Sequence, residues 1–184
     1  MVTKMIDDIP PFKSAHAAVI FAFNYAHQQS PKTPMTALLR GPAGGSGAGL
    51  SGLDGAAQAG MILRAIDALT HDQRAVLVVR FGDFRSECPC CGQLAPSQDW
   101  REAMAYLASC ADLDGLPRAV KLAAIERAVC RRKWDSKRLS EEPGLSVRTL
   151  RDQVQRLKAR MGKAENAGLG ALDAWLRQGG TAGN

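Results

Sequence analysis

The sequence predicts an all-α fold, and three observations carry that reading. Apolar residues recur at helical spacing, most plainly Val147, Leu150, Val154, Leu157 and Met161, which step by 3, 4, 3 and 4. Helix-start signals recur too: Ser14, the capping-box pattern Thr70-His71-Asp72-Gln73 and Ser146 each precede an apolar run. Between Lys137 and Met161, a short helix, a tight turn at Pro143-Gly144 and a long basic helix follow one another, the sequence form of a helix-turn-helix. A chain of 184 residues is long enough for one ordinary domain or two small ones with a real core.

Taken in order, Ser14 caps a first helix over residues 15–29, apolar on most sides through Val19, Ile20, Phe21, Phe23 and Tyr25 and so expected to be buried. Pro31 and Pro34 break the chain, and residues 35–40 have room for one or two turns. Residues 41–52 hold six glycines in twelve positions. By composition this is a flexible linker, with an arm that orders on a partner as the alternative. A phosphate loop lacks its Gly-Lys-Ser/Thr and its preceding strand. Helix resumes over 54–69, where Ala56, Ala57, Ala59 and Gly60 permit close helix contact and Ile62, Ile66 and Leu69 anchor it. Further helices are expected over 72–81, 98–110, 117–133 and 165–176, with a cysteine-rich loop after the first of these. Trp100, Trp134 and Trp175 read as packing anchors. The organisation that follows is an N-terminal helix and Gly-rich arm (1–52), a helical region with the cysteine-rich loop (53–116), a helix-turn-helix region (117–163), and a C-terminal helix and tail (164–184).

Net charge is +6, and its distribution is uneven. Residues 118–163 carry fourteen Lys/Arg against five Asp/Glu, or +9, leaving ten against thirteen, or −3, elsewhere. The cations gather around the helix-turn-helix pattern, as a phosphate-binding footprint requires, although a solvated basic helix face has the same composition. No apolar run approaches the roughly 18–20 residues that span a bilayer, so no membrane partner is expected. The N-terminus has two acids and no apolar signal core, and the clustered cysteines do not form a disulfide framework. Export is not expected, and a reducing cytoplasm is.

On the long helix, the apolar stripe packs inward and the opposite face presents Arg148, Asp152, Gln155 and Arg156, flanked by Arg151, Lys158 and Arg160. Groove-reading helices contact bases mainly through their N-terminal part. Arg148, Arg151, Asp152 and Gln155 are therefore the candidates for base edges, since Arg bridges guanine O6/N7 and Gln pairs with adenine. Ser146 caps the helix, and Thr149 is placed for a phosphate or a thymine methyl. Arg156, Lys158 and Arg160 suit phosphates, as do Lys137 and Arg138 on the preceding helix. Two positions depart from the usual motif: Gln153 stands where an apolar residue is customary, and Pro143 ends the first helix near Glu142. The competing readings are an amphipathic helix in a bundle with a basic exterior, and a helix that binds protein.

Residues 65–81, with Leu69, the polar cap Thr70 and Gln73-Arg74 before an apolar helix, resemble the helix pair that opens region 4 of bacterial sigma factors. Gly144-Leu145-Ser146-Val147-Arg148-Thr149-Leu150 resembles the recognition turn of the same region. Over residues 13–176 the chain resembles the Q-like transcription antitermination proteins of bacteriophages and prophages. That resemblance rests on Ser30-Pro31-Lys32-Thr33-Pro34-Met35, the glycine-rich stretch 50–60, Glu87-Cys88-Pro89-Cys90-Cys91-Gly92 and the C-terminal helix-turn-helix. It implies a protein of the bacterial host's cytoplasm that binds double-stranded DNA near a late promoter. It also implies engagement of paused RNA polymerase with its sigma factor, loading onto the enzyme, and readthrough of terminators, partly by narrowing the RNA exit path.

Cys88-Pro89-Cys90-Cys91-Gly92 fits a Cys-Pro-x-Cys-Gly zinc knuckle, in which Cys88 and Cys91 turn two thiolates toward one metal. Cys90 is the alternative, replacing Cys88 or joining it. A tight turn with free thiols and no metal is the competing reading, because no second Cys-x-x-Cys exists. Cys110 and Cys130 fall in predicted helices, and His16, His27 and His71 are distant in sequence. No Ser/His/Asp or Cys/His set at a known spacing is present, and Glu141-Glu142 and Asp7-Asp8 read as helix-end or tail charges. An enzyme is therefore not expected. The expectation is a DNA-binding antitermination factor. A promoter-binding repressor or activator is the alternative within that class, and a zinc-stabilised protein adaptor the alternative outside it.

Overall fold

Seven helices and one small hairpin form among the described residues of the computed structural model, which describes residues 12–29, 53–82, 85–88, 90–113, 115–133, 135–141, 144 and 146–179. In chain order they are α1 (Ala15–Gln29), α2 (Leu53–Asp67), α3 (His71–Phe81), β1 (Arg85–Glu87), β2 (Leu94–Pro96), α4 (Gln98–Cys110), α5 (Arg118–Cys130), α6 (Ser136–Glu141) and α7 (Val147–Arg177). The fold is all-α apart from the hairpin. The expected turns at 35–40, the glycine-rich segment, Pro143 and Trp134 lie outside the described residues.

The chain divides into two compact units. The first holds α1, α2 and the end of α7 from Leu169 onward. Its core is built where α1 packs on α2, from Ala15, Ala18, Val19, Phe21 and Ala22 against Ala59, Ile62 and Ile66. Phe12, Phe21 and Tyr25 stack in succession with centroids 5.0 and 5.7 Å apart. The Asp173 carboxylate accepts the Ala15 backbone N–H at 2.6 Å, satisfying an orphan donor at the start of α1 from a residue 158 positions away. Of the α1 residues expected to be buried, Val19 and Phe21 are, whereas Ile20 is 38% exposed and Phe23 and Tyr25 are half-buried, so only one face of the helix meets the core. In α2, Ala59 is buried but Ala56, Ala57 and Gly60 face solvent, and a Cβ on Gly60 would meet nothing. The small-residue contact expected there is thus confined to one position.

The second unit runs from Leu69 to Gly168 and centres on α3, which packs on both α4 and α5. Thr70 begins α3 with the capping box read from sequence, Gln73 Oε1 accepting the Thr70 N–H at 3.2 Å. Five consecutive residues, Ala75 through Val79, are buried. Burial on all sides, at about 1.5–3 kcal/mol for each Val or Leu, makes α3 the anchor of this unit. The end of α3 is satisfied by distant side chains: the Val79 carbonyl accepts the Trp100 indole N–H at 3.2 Å and the Cys130 thiol at 3.3 Å. Arg80 donates to the Val129 carbonyl at 2.9 Å and lies 3.6 Å from Glu165 on α7.

Two boundaries differ from expectation. The helix expected over 117–133 stops at Cys130 because Arg131 takes a left-handed conformation, φ 56°. The two C-terminal helices expected around 162–165 are one helix, α7, 31 residues long. No proline interrupts it, and its glycines do not end it. Gly168 sits where a Cβ would lie 3.3 Å from both Gln73 and Leu77, so α7 passes close over the start of α3 there. No helix among the described residues is long and apolar enough to cross a membrane.

Candidate functional site

Asp135 begins α6 by accepting the Lys137 N–H on its carboxylate at 3.0 Å. The Gly144 N–H returns to the Glu141 carbonyl at 3.2 Å, with Gly144 at φ 65°, a conformation that suits glycine. Ser146 then caps α7: its hydroxyl accepts the Thr149 N–H at 3.0 Å and lies 2.8 Å from the Thr149 hydroxyl. Leu150, Val154, Leu157 and Met161 are buried, as the stripe requires. Val147, the first residue of that stripe, is only half-buried.

The side chains expected to meet DNA fall into three groups. Arg148, Asp152, Gln155 and Lys158 are exposed, as are Ser146 and Thr149 at the cap. Arg151 turns back, its guanidinium donating to the buried Ser136 hydroxyl at 3.1 Å. There it shares an open groove of about 530 Å³ with Lys133, Asp135 and Lys137. Arg156 lines a different cavity, on the other flank of α7, with Asp112, Gln153, Leu157 and Arg160. Arg160 donates to the Cys110 carbonyl at 2.8 Å and so caps the end of α4. Arg138 lies in α6, with its side chain outside the described set.

Sequence reasoning did not identify Ser136 or Asp112 as neighbours of this helix. It did single out Gln153 as a polar residue in a customarily apolar place. The Gln153 Oε1 is buried and has no hydrogen-bond partner among the described residues. Such a group costs about 1–3 kcal/mol, so an unpaired one in a native fold needs a reason.

The cysteine-rich loop is carried by the hairpin, which sequence reading did not foresee. β1 and β2 pair antiparallel, with Glu87 opposite Leu94. The Cys88 N–H bonds to the Gln93 carbonyl and the Gly92 N–H to the Cys88 carbonyl, both at 2.8 Å, and Gly92 adopts φ 67°. This turn brings the sulfurs of Cys88, Cys90 and Cys91 within 4.8 Å of one another. Cys90 therefore joins Cys88 and Cys91 in the cluster, and these three could hold a metal ion. Cys110 and Cys130 are not part of it. The Cys90 thiol, 2.8 Å from Cys88, holds the Cys88 thiol down at about 7 from the ordinary 9.0, and Cys90 is itself pushed up. A thiol poised near neutrality is readily present as the thiolate that metals bind. Three thiolates supply three corners of a tetrahedral site and leave the fourth open.

The chain matches no protein-family model, no curated protein and no solved structure.

Proposed function

We propose that this protein binds double-stranded DNA through the first half of α7 and acts in transcription as an antitermination factor that engages RNA polymerase and its sigma factor near a promoter. One observation carries the DNA reading. The N-terminal half of α7 keeps Arg148, Arg151, Gln155, Arg156 and Lys158 at the surface while its opposite face is buried, and most of the chain's surplus positive charge gathers around it. In this reading α6 and α7 act as a helix-turn-helix, Arg148, Asp152 and Gln155 reach base edges, and Lys133, Lys137 and Lys158 contact phosphates. Arg151, already tied to Ser136, helps to fix the angle between α6 and α7. Polymerase and sigma as partners rest on the resemblance of residues 65–81 and 144–150 to sigma region 4, and of the chain to Q-like proteins.

Zinc is the metal proposed for the cysteines, because thiolates in a knuckle turn suit it. Cys88, Cys90 and Cys91 would hold it, and its contribution there is to fix the hairpin tip. A second reading, a metal-stabilised protein adaptor, draws on the same hairpin, where Leu94 is 63% exposed beside the cluster.

Affinity for duplex DNA, measured by fluorescence anisotropy, should fall steeply with added salt, since neutralised phosphates release counterions. Arg148→Ala should cost about 1–3 kcal/mol on a selected site and little on unrelated duplex. Absence of salt-sensitive DNA binding would leave the adaptor reading. Transcription in vitro across a terminator separates the two DNA readings: readthrough supports antitermination, and a change confined to initiation indicates a repressor or activator.

A further inference from the structure

The sulfurs at the hairpin tip are close enough to react with one another as well as with a metal. Cys88 Sγ and Cys90 Sγ stand 2.8 Å apart. A bond between them requires the sulfurs to approach by less than about 1 Å. Two residues one position apart in an extended chain lie roughly 7 Å apart at Cα, at the edge of what a disulfide spans. Here the chain is bent instead, because the Gly92 N–H returns to the Cys88 carbonyl at 2.8 Å and Gly92 takes φ 67°. Cys90 and Cys91 are exposed and Cys88 is half-buried, so a small solute in water reaches the cluster. None of the three belongs to the buried core, so a new bond among them leaves the packing of the helices alone. Cys110 and Cys130 lie on α4 and α5 and are not part of the cluster.

We propose that Cys88 and Cys90 form a reversible intramolecular disulfide, a modification that competes with metal for the same sulfurs. The oxidant is a small disulfide such as oxidised glutathione. One thiolate of the pair attacks a glutathione sulfur, forming a mixed disulfide and expelling one glutathione thiolate. The neighbouring cysteine then attacks the protein sulfur of that mixed disulfide and expels the second glutathione. Two cysteines are oxidised to a disulfide, glutathione disulfide is reduced to two thiols, and the two cysteine protons pass to the departing thiolates. Of three metal-binding sulfurs the product keeps only Cys91 as a thiol, and one thiolate does not hold the ion that three hold. In a reducing compartment the pair therefore stays open to metal, and a rise in disulfide oxidant closes it. Only this competition rests on the metal reading of the cluster; the disulfide itself rests on the geometry of the pair.

The full-length, metal-free protein is equilibrated in buffers of graded oxidised and reduced glutathione, its free thiols are alkylated, and its peptides are weighed. A peptide in which Cys88 and Cys90 escape alkylation and Cys91 does not should appear, and reductant should reverse it. Cys91→Ser should leave its yield unchanged, and Cys90→Ser should lower the yield of intramolecular disulfide by at least about tenfold at the same buffer ratio. Both positions are exposed, so neither variant disturbs the core. Persistent glutathione adducts, disulfides between copies, or a disulfide lost in Cys91→Ser and kept in Cys90→Ser overturn the proposal. Zinc affinity, measured by competition with a coloured chelator, tests the second half. The oxidised protein should bind at least about a hundredfold more weakly than the reduced one. Zinc held equally by both forms overturns the competition. A reduced protein that binds no zinc yet forms the disulfide removes the metal reading alone, and one that binds zinc yet forms no disulfide removes this modification alone.

Discussion

At the scale of single residues, Cys130 shows how a thiol that looks idle in sequence is used. Burial pushes it up to about 11 from the ordinary 9.0, with Glu126 adding to the effect, and its hydrogen closes the Val79 carbonyl at the end of α3. A group held protonated by the fold contributes stability that is complete below pH 9 and lost as the pH rises through about 11. The urea midpoint of the native protein should therefore fall over that interval by more than that of Cys130→Ala. Equal slopes in the two proteins would show that the thiol stays accessible to water. None of this was legible from the sequence, which places Cys130 on a helix but not against a carbonyl 51 residues earlier. Ser146 is the opposite case. Its acceptor role toward Thr149 joins residues three apart, and such local bonds are written in the spacing.

At the scale of elements, α7 holds the sharpest contrast between expected and observed structure. Its first fifteen residues follow the stripe of Leu150, Val154, Leu157 and Met161. Beyond Met161 the periodic signal weakens and three glycines follow: Gly162 in the break expected before residue 165, and Gly168 and Gly170 inside the helix expected over 165–176. They are not equivalent. A Cβ on Gly162 or Gly170 would meet nothing within 4 Å, whereas one on Gly168 would press on Gln73 and Leu77. Gly162→Ala and Gly170→Ala should each stabilise the protein by about 0.5–1 kcal/mol, the usual cost of glycine in a helix interior. Gly168→Val should destabilise it by about 1–3 kcal/mol through overpacking against α3. Thermal unfolding checks the order, and a Gly168→Val protein as stable as Gly162→Ala would mean that α7 does not pass closely over α3. The hairpin is a second element that sequence reading missed. Its strands are three residues each, too short for an alternating pattern to register.

At the scale of the whole molecule, each of the two units has its own core, and the cysteine cluster lies in the second unit but outside the residues that form its core. Cys90 and Cys91 are exposed at the hairpin tip, while the second unit is held by α3 against α4 and α5. Stripping metal with a chelator should consequently leave the far-ultraviolet helical signal nearly unchanged and lower the melting temperature only slightly, unlike small zinc domains that unfold without metal. Loss of the helical signal on chelation would mean that the cluster organises the core. The charge pattern also belongs to this scale: +9 lies between residues 118 and 163 and −3 elsewhere, a segregation readable from sequence and independent of how the chain folds.

The sequence by itself determined the helical class, the caps at Thr70 and Ser146, the buried face of α7 and the basic segment. Each of these rests on residues within a turn or two of one another, so it leaves a periodic or local mark. Only the tertiary structure decided that Arg160 closes α4 at Cys110, that Arg151 turns back to Ser136, that Asp173 caps α1, and that the buried Gln153 carbonyl, on a residue beside Asp112, has no partner among the described residues. Those contacts join residues 15 to 158 positions apart, and no spacing rule encodes which distant groups a packed helix will meet.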